Sequence, residues 1–166
     1  MFVTNHVLSG ALIGRTLERR PVAAFVVGVA SHLALDAVPH WGCDKQQPGG
    51  ADKFLTAAKR DGLIGLTVMA TATLFAAKQA RTATVAAMAG AALLDLDKPL
   101  VYFFDWNPFP WAVRSFHERV QNESEGGLTN EIRFGVAFAA ADALFRVLGR
   151  RRNPYRRSNS ALATTG

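Results

Sequence analysis

The sequence predicts an all-α fold, a multi-helix bundle with about four membrane-spanning helices and several shorter ones. Three observations carry this. Apolar stretches at residues 21–38, 62–77, 82–96 and 132–148 dominate the chain, and nowhere is there the strict alternation of a half-buried strand. Only 19% of residues are charged against 49% hydrophobic, which is a low charge content for a soluble domain. Gly and Ala recur inside the apolar stretches, and small residues let helices approach closely, as in membrane bundles.

The elements follow in order. Thr4 or Asn5 is placed to cap a first helix running to about Glu18. Arg19-Arg20-Pro21 breaks the chain, and Pro21 opens a second helix that runs to about Val38. Residues 41–52 form a loop by their Gly, Pro and polar content. A third helix covers about 53–78. A turn at 80–82 leads to a fourth, about 83–96, which Pro99 ends or kinks. The aromatic segment 102–111 is expected to be irregular because of Asn107-Pro108-Phe109-Pro110. A fifth helix begins near Trp111 and carries His117, and Glu125-Gly126-Gly127 breaks it. A last helix runs over about 129–148. The chain thus divides into a helical membrane-associated domain, 1–149, and a basic tail, 150–166, expected to be disordered.

Charge placement gives a topology. Each apolar stretch falls slightly short of the roughly 20 residues a spanning helix needs. With helices alternating up and down, however, Arg15–Arg20, Lys78 with Arg81, and the arginines from Arg146 to Arg157 share one end. That is the positive-inside pattern for four spans with both termini cytoplasmic. Trp41, Trp106 and Trp111 fall at the other end, along with Lys45, Lys53, Lys59 and Arg60. The formal charge is +6, but no nucleic-acid motif accompanies it, and nucleic acid is not an expected partner. Membrane lipid is. The N-terminus does not read as a signal peptide: no basic residue precedes Val7, and arginines follow the apolar run 7–14. Cys43 is the single cysteine, which excludes an intramolecular disulfide. Beside Asp44 it is a minor candidate as a soft metal ligand.

Chemistry concentrates at the non-basic end. His32, Asp36 and His40 are spaced i, i+4, i+8, and each step of four turns a helix by only about 40° and rises about 6 Å. They therefore line one face, or, where Pro39 ends the helix, His40 lies just beyond it, in a greasy stretch where unsatisfied polar groups are costly. The same alternation brings His6, Asp61, Asp95, Asp97 and His117 to that end. Asp36, Asp95 and Asp97 lie near expected helix C-termini, where carboxylates are disfavoured. A cation among them relieves this, with Lys98 as the ordinary explanation for Asp97. His and Asp are donors suited to Zn²⁺, Mn²⁺ or Fe²⁺. The metal ligand candidates are His6, His32, Asp36, His40, Asp61, Asp95 and His117. Asp97 or Glu118 is the candidate general base. Zn is the expected ion, with Mn or Fe as alternatives, in one or two copies.

His6 with Gly10, the string His32-Leu-Ala-Leu-Asp36-Ala-Val-Pro39-His40-Trp41, Asp61-Gly62, and Leu94-Asp95-Leu96-Asp97-Lys98-Pro99 carry a resemblance over roughly residues 5–120. They resemble the bacterial membrane-bound, predicted metal-dependent hydrolases of unknown substrate, one of which is regulated by the LexA repressor. That family is more distantly similar to zinc-dependent phospholipase C, an all-helical phosphodiesterase with His/Asp metal sites. The resemblance implies a metal site and hydrolysis of a phosphoester or related ester, with a lipid or lipid-linked phosphate as a natural substrate. The alternative is a non-enzymatic integral membrane protein whose cluster binds metal structurally or moves ions or protons.

Overall fold

A computed structural model describes residues 1–43 and 47–151, without the side chains of 149–151. Asp44 and Lys45, and the tail from 152 onward, lie outside the described residues. The chain is helical in the order α1 (Val3–Thr16), α2 (Pro21–Asp36), α3 (Gly50–Phe75), α4 (Arg81–Ala92), α5 (Asp97–Phe104), α6 (Trp111–Val120) and α7 (Leu128–Arg151). Single 3-10 turns cover Leu93–Leu96 and Glu125–Gly127.

The all-α class holds, but the four membrane spans do not. Among the described residues no helix is long and apolar enough to cross a membrane. The physical reason is visible in the sequence: the apolar runs are short, α3 carries all its charged residues in its first half, from Asp52 to Asp61, and α7 has charged residues toward both ends. The placement of both termini in the cytoplasm was read from those spans and loses its basis with them.

Helix α4 is the hub, packing on α1, α2 and α3, most extensively on α2 and α1. The approach is close because glycine faces backbone. A Cβ on Gly10 or Gly14 of α1 would stand 2.7 Å from Met88 Cα and 2.2 Å from Thr84 Cα respectively. One on Gly28 of α2 would stand 2.3 Å from the Ala87 carbonyl oxygen. The interior so formed is small and partly polar: Ala11, Ala24, Ala83, Ala87 and Ala91 with Met88 and Thr84. Large apolar side chains such as Val22, Leu74, Phe104 and Trp111 stand outside.

Among the described residues, members of the basic groups lie near one another. Arg15 of α1 and Arg146 of α7 both pair with Asp142, at 3.0 and 2.7 Å, and the Arg19 N–H donates to the Gln79 carbonyl in the α3–α4 turn.

Three local expectations change. Residues 102–104, at the start of the segment expected to be irregular, are helical: they close α5, which tolerates Pro99 in its first turn, where a missing N–H costs nothing. Asp105, in the left-handed conformation, closes that helix. Helix α1 is not capped by Thr4 or Asn5; Phe2 is its N-cap, without a side-chain cap of its own. Finally, two short strands occur, β1 (His40–Trp41) and β2 (Glu123–Ser124), paired in parallel. Two residues are too few to leave a period in the sequence.

Candidate metal centre

Four elements deliver the site. His6 comes from the first turns of α1, His32 and Asp36 from the end of α2, Asp95 from the 3-10 turn after α4, and His117 from α6. The i, i+4 spacing does what helical geometry requires: His32 Nε2 lies 3.1 Å from Asp36 Oδ2. The other donors converge on the same carboxylate. His6 Nε2 is 3.1 Å from Oδ1, and His117 Nε2 is 3.0 Å from Oδ2. The amino group of Met1 also reaches Oδ1, at 2.5 Å. His32 Nε2 and His117 Nε2 are 2.9 Å apart. The His6 and His32 rings stack at 4.0 Å between centroids. Asp95 Oδ2 is 3.7 Å from His6 Nε2, while Asp95 Oδ1 accepts a hydrogen bond from Lys98 Nζ at 2.7 Å. His6, His32 and Asp36 are fully buried; His117 and Asp95 are 5% and 8% exposed.

Two groups of three donor atoms, each group within 4.8 Å, result: His6–His32–Asp36 and His32–Asp95–His117. These buried His/Asp groups could hold a metal ion. The test of fit is the direction of the lone pairs. His32 Nδ1 sits 2.7 Å from the Ala91 carbonyl oxygen, an acceptor, so Nδ1 carries the proton. In neutral His32 the Nε2 lone pair then faces Asp36 and His117. Ligating histidines are fixed in this way by a carbonyl on their other nitrogen. Electron pairs converging on one buried point need a proton or a cation between them, and in this structure the Met1 amino group meets that need at Asp36 Oδ1.

The electrostatics agree. Burial lowers His6 from 6.5 to about 4, against its hydrogen bond to the Asp36 carboxylate, which would raise it. Its neutral, ligand-competent form is thus the stable one. Burial works to raise Asp36, but the facing imidazoles of His117, His32 and His6 hold it far below the ordinary carboxylate range. Burial likewise opposes ionisation of Asp95, and Lys98, then His6 and His32, hold it low. Against burial, Asp36 and Asp95 keep His32 raised.

The remaining candidates stand elsewhere. Asp61 joins neither donor group. Its Oδ2 accepts from the Val3 N–H at 2.6 Å and its Oδ1 from the Thr4 N–H at 3.2 Å. It therefore caps α1 from α3. His40 also joins neither group, because α2 ends at Asp36 and the helical phase is lost before it. Its Nδ1 donates to the Val38 carbonyl at 2.9 Å, and its buried Nε2 has no hydrogen-bond partner among the described residues. Asp97 opens α5 instead of closing α4, so the helix dipole favours it. Its Oδ1 is buried without a partner among the described residues. Glu118 is exposed, one residue and about 100° of helix from His117. Cys43 donates to the Gly50 carbonyl at 3.5 Å.

Sequence reading missed Glu131 and Gln121. Glu131, 3% exposed, accepts from the Phe2 N–H at 3.0 and 3.1 Å and from Asn5 Nδ2 at 2.7 Å, tying α7 to the start of α1. Gln121 Nε2 lies 3.4 Å from Asp36 Oδ2. An acid in the first turn of an apolar helix was the available signal for Glu131. Gln121 offered none beyond its place one turn after His117.

No protein-family model, curated protein or solved structure matches the chain.

Proposed function

We propose that this chain is a metal-dependent hydrolase acting on a phosphoester or related ester. One observation carries the reading: three imidazole nitrogens, from His6, His32 and His117, stand 3.0–3.1 Å from the carboxylate of Asp36 in a buried centre. Three nitrogens with one carboxylate suit Zn²⁺, with Mn²⁺ or Fe²⁺ as alternatives. The resemblance to membrane-bound metal-dependent hydrolases, carried in part by His6, His32 and Asp36, supports it further. When bound, such an ion lowers the pKa of water and neutralises charge on phosphoryl oxygens.

The chain's own groups then have definite tasks. Asp36 orients three imidazoles at once. The Ala91 carbonyl holds the proton of His32 on Nδ1. Asp97 fits a general base better than Glu118, since its Oδ1 is buried and unpartnered among the described residues. Lys98 is the partly exposed group at the centre, beside the buried Asp95, and substrate approaches from its side.

The location proposed is the bacterial inner membrane, by surface contact instead of a span. Tyr102, Phe103, Phe104, Trp106, Trp111 and Phe116 are all exposed on α5, α6 and the segment between them. Aromatic side chains of this kind favour the lipid–water interface. A lipid or lipid-linked phosphoester is the natural substrate there.

The test is elemental analysis of the purified protein beside a His32→Ala/Asp36→Ala variant, followed by turnover of a phosphodiester such as bis-p-nitrophenyl phosphate. Metal and turnover present in the native chain and lost together in the variant are expected. Bound metal without turnover of any ester would favour a structural centre, for which the complete burial of His6, His32 and Asp36 speaks. No metal after reconstitution with each ion would sink the reading. Flotation with anionic liposomes tests the location.

A further inference from the structure

Away from the metal centre, two guanidiniums share one carboxylate. Arg15 Nε lies 3.0 Å from Asp142 Oδ1, and Arg146 Nε lies 2.7 Å from Asp142 Oδ2. Among the described residues no other carboxylate pairs with either arginine, so the group keeps one positive charge in excess. The Arg15 side chain is 11% exposed, and its Nη2 is buried without a hydrogen-bond partner among the described residues. Charge held in this way is costly until an anion offsets it. Arg146 is the reachable member, its side chain 34% exposed. Its fork is held on two sides, by Asp142 at Nε and by the Phe75 ring 5.5 Å from Cζ. Among the described residues its two Nη groups donate to nothing.

A groove leads to this group. It is a cavity of about 210 Å³ between α1, α3 and α7, walled by Leu8, Ala11, Val68, Ala72 and Ala139, with Asp142 and Arg146 at one end. Thr67 and Thr71 on the same wall add little polarity, because their hydroxyls donate to the carbonyls of Leu63 and Thr67. Leu8, Ala11 and Arg15 are spaced i, i+3, i+7 on α1, and Ala139, Asp142 and Arg146 repeat that spacing on α7. Each triplet is one helical stripe that runs from apolar to cationic over about 10 Å. The volume is below the roughly 300–1,000 Å³ of pockets that enclose drug-sized ligands, and it suits one hydrocarbon chain laid along the helices. A single excess charge calls for a monoanion, and a guanidinium fork matches a carboxylate with two parallel N–H bonds.

We propose that this groove binds one fatty-acid molecule, with its carboxylate on Arg146 and its chain between α1, α3 and α7. Arg15 stays on Asp142 and neutralises it, so that Asp142 does not repel the ligand. The site is separate from the His6–His32–Asp36 centre and needs no metal.

Titration calorimetry of the full chain with decanoate tests this, in a buffer with chelator so that no metal takes the carboxylate. One decanoate binds per chain. Decyltrimethylammonium, with the same tail and the opposite charge, binds at least about tenfold more weakly. Arg146→Met keeps the stem and removes the fork, and it weakens decanoate by at least about tenfold, as the loss of a hydrogen bond to a charged group does. Ala139→Phe, at an exposed position on the lip, fills the groove and abolishes binding. Arg119→Met, exposed on α6, changes nothing. Circular dichroism shows whether each variant is folded; if one is not, the other and the comparison of the two amphiphiles decide. No binding by the native chain, equal binding of the two amphiphiles, or undiminished binding in a folded Arg146→Met or Ala139→Phe variant overturns the site and leaves the metal centre untouched.

Discussion

His32 Nε2 and His117 Nε2 face each other at 2.9 Å across 85 residues of sequence. At most one proton fits on the line between two such nitrogens, so the pair is neutral and sharing, or is waiting for a cation. Replacing His117 by Ala should weaken zinc binding by at least about 10- to 100-fold, the range that even outer partners of a metal reach. Chelator competition measures it. Unchanged affinity would take His117 out of the centre and reduce α6 to a cover.

Asp61 gives the opposite expectation. Its carboxylate satisfies two N–H groups at the start of α1. Asp61→Ala should cost about 1–2 kcal/mol of stability, as the loss of a helix cap does. It should leave the zinc count unchanged. Chemical denaturation and elemental analysis on one sample check both, and a full-stability variant without zinc would restore Asp61 to the ligands.

The metal-free protein should show its buried imidazoles titrating apart. His6, lowered to about 4 by burial, stays neutral while an unfolded chain would take up a proton near 6.5. Its contribution to stability is therefore intact above 6.5 and is lost as the pH falls toward 4, at about 1.4 kcal/mol per unit. His32 is raised, so its contribution has the other sign: present below 6.5 and lost as the pH climbs through its folded value. Imidazole resonances followed by NMR should separate the two. A His6 that titrates at 6.5 or above would contradict the burial that makes it a ligand.

Gly28 sits one helical turn before His32, against the Ala87 carbonyl. Gly28→Ala forces α2 away from α4 and should cost on the order of 1–3 kcal/mol, as overpacking does. The same shift stretches the hydrogen bond of His32 to Ala91, so zinc affinity should fall together with the melting temperature. Gly62→Ala, where a Cβ meets nothing within 4 Å inside α3, is the control: it should leave zinc affinity unchanged and raise stability by about 0.5–1 kcal/mol, the helix preference of Ala over Gly.

Much of this was legible in the sequence, and for definable reasons. The i, i+4 relation of His32 and Asp36 is a property of any helix, so the centre of the site followed from spacing alone. Alternation of helices placed His6, Asp95 and His117 at the same end without specifying contacts. What the sequence could not convey was the end of α2 at Asp36, which removes His40 from the helical face, and the helical start at Asp97, which reverses the sign of the dipole there. Asp61 misled because a carboxylate capping a neighbouring helix and one binding a metal look alike in a string of letters. The spans failed on length: each apolar run was short, and α3 and α7 gain theirs by adding charged ends.

The clasp between β1 and β2 bears on biosynthesis. Asn122 donates to the Asp36 carbonyl, His40 to the Asn122 carbonyl, and Gly127 packs against the His40 backbone. His6, His32 and Asp36 thus leave the ribosome long before His117, Asn122 and Glu131 arrive to enclose them. For that interval a nascent chain offers an open, half-built chelator, and whichever ion it meets first can be sealed in when the last third of the chain docks.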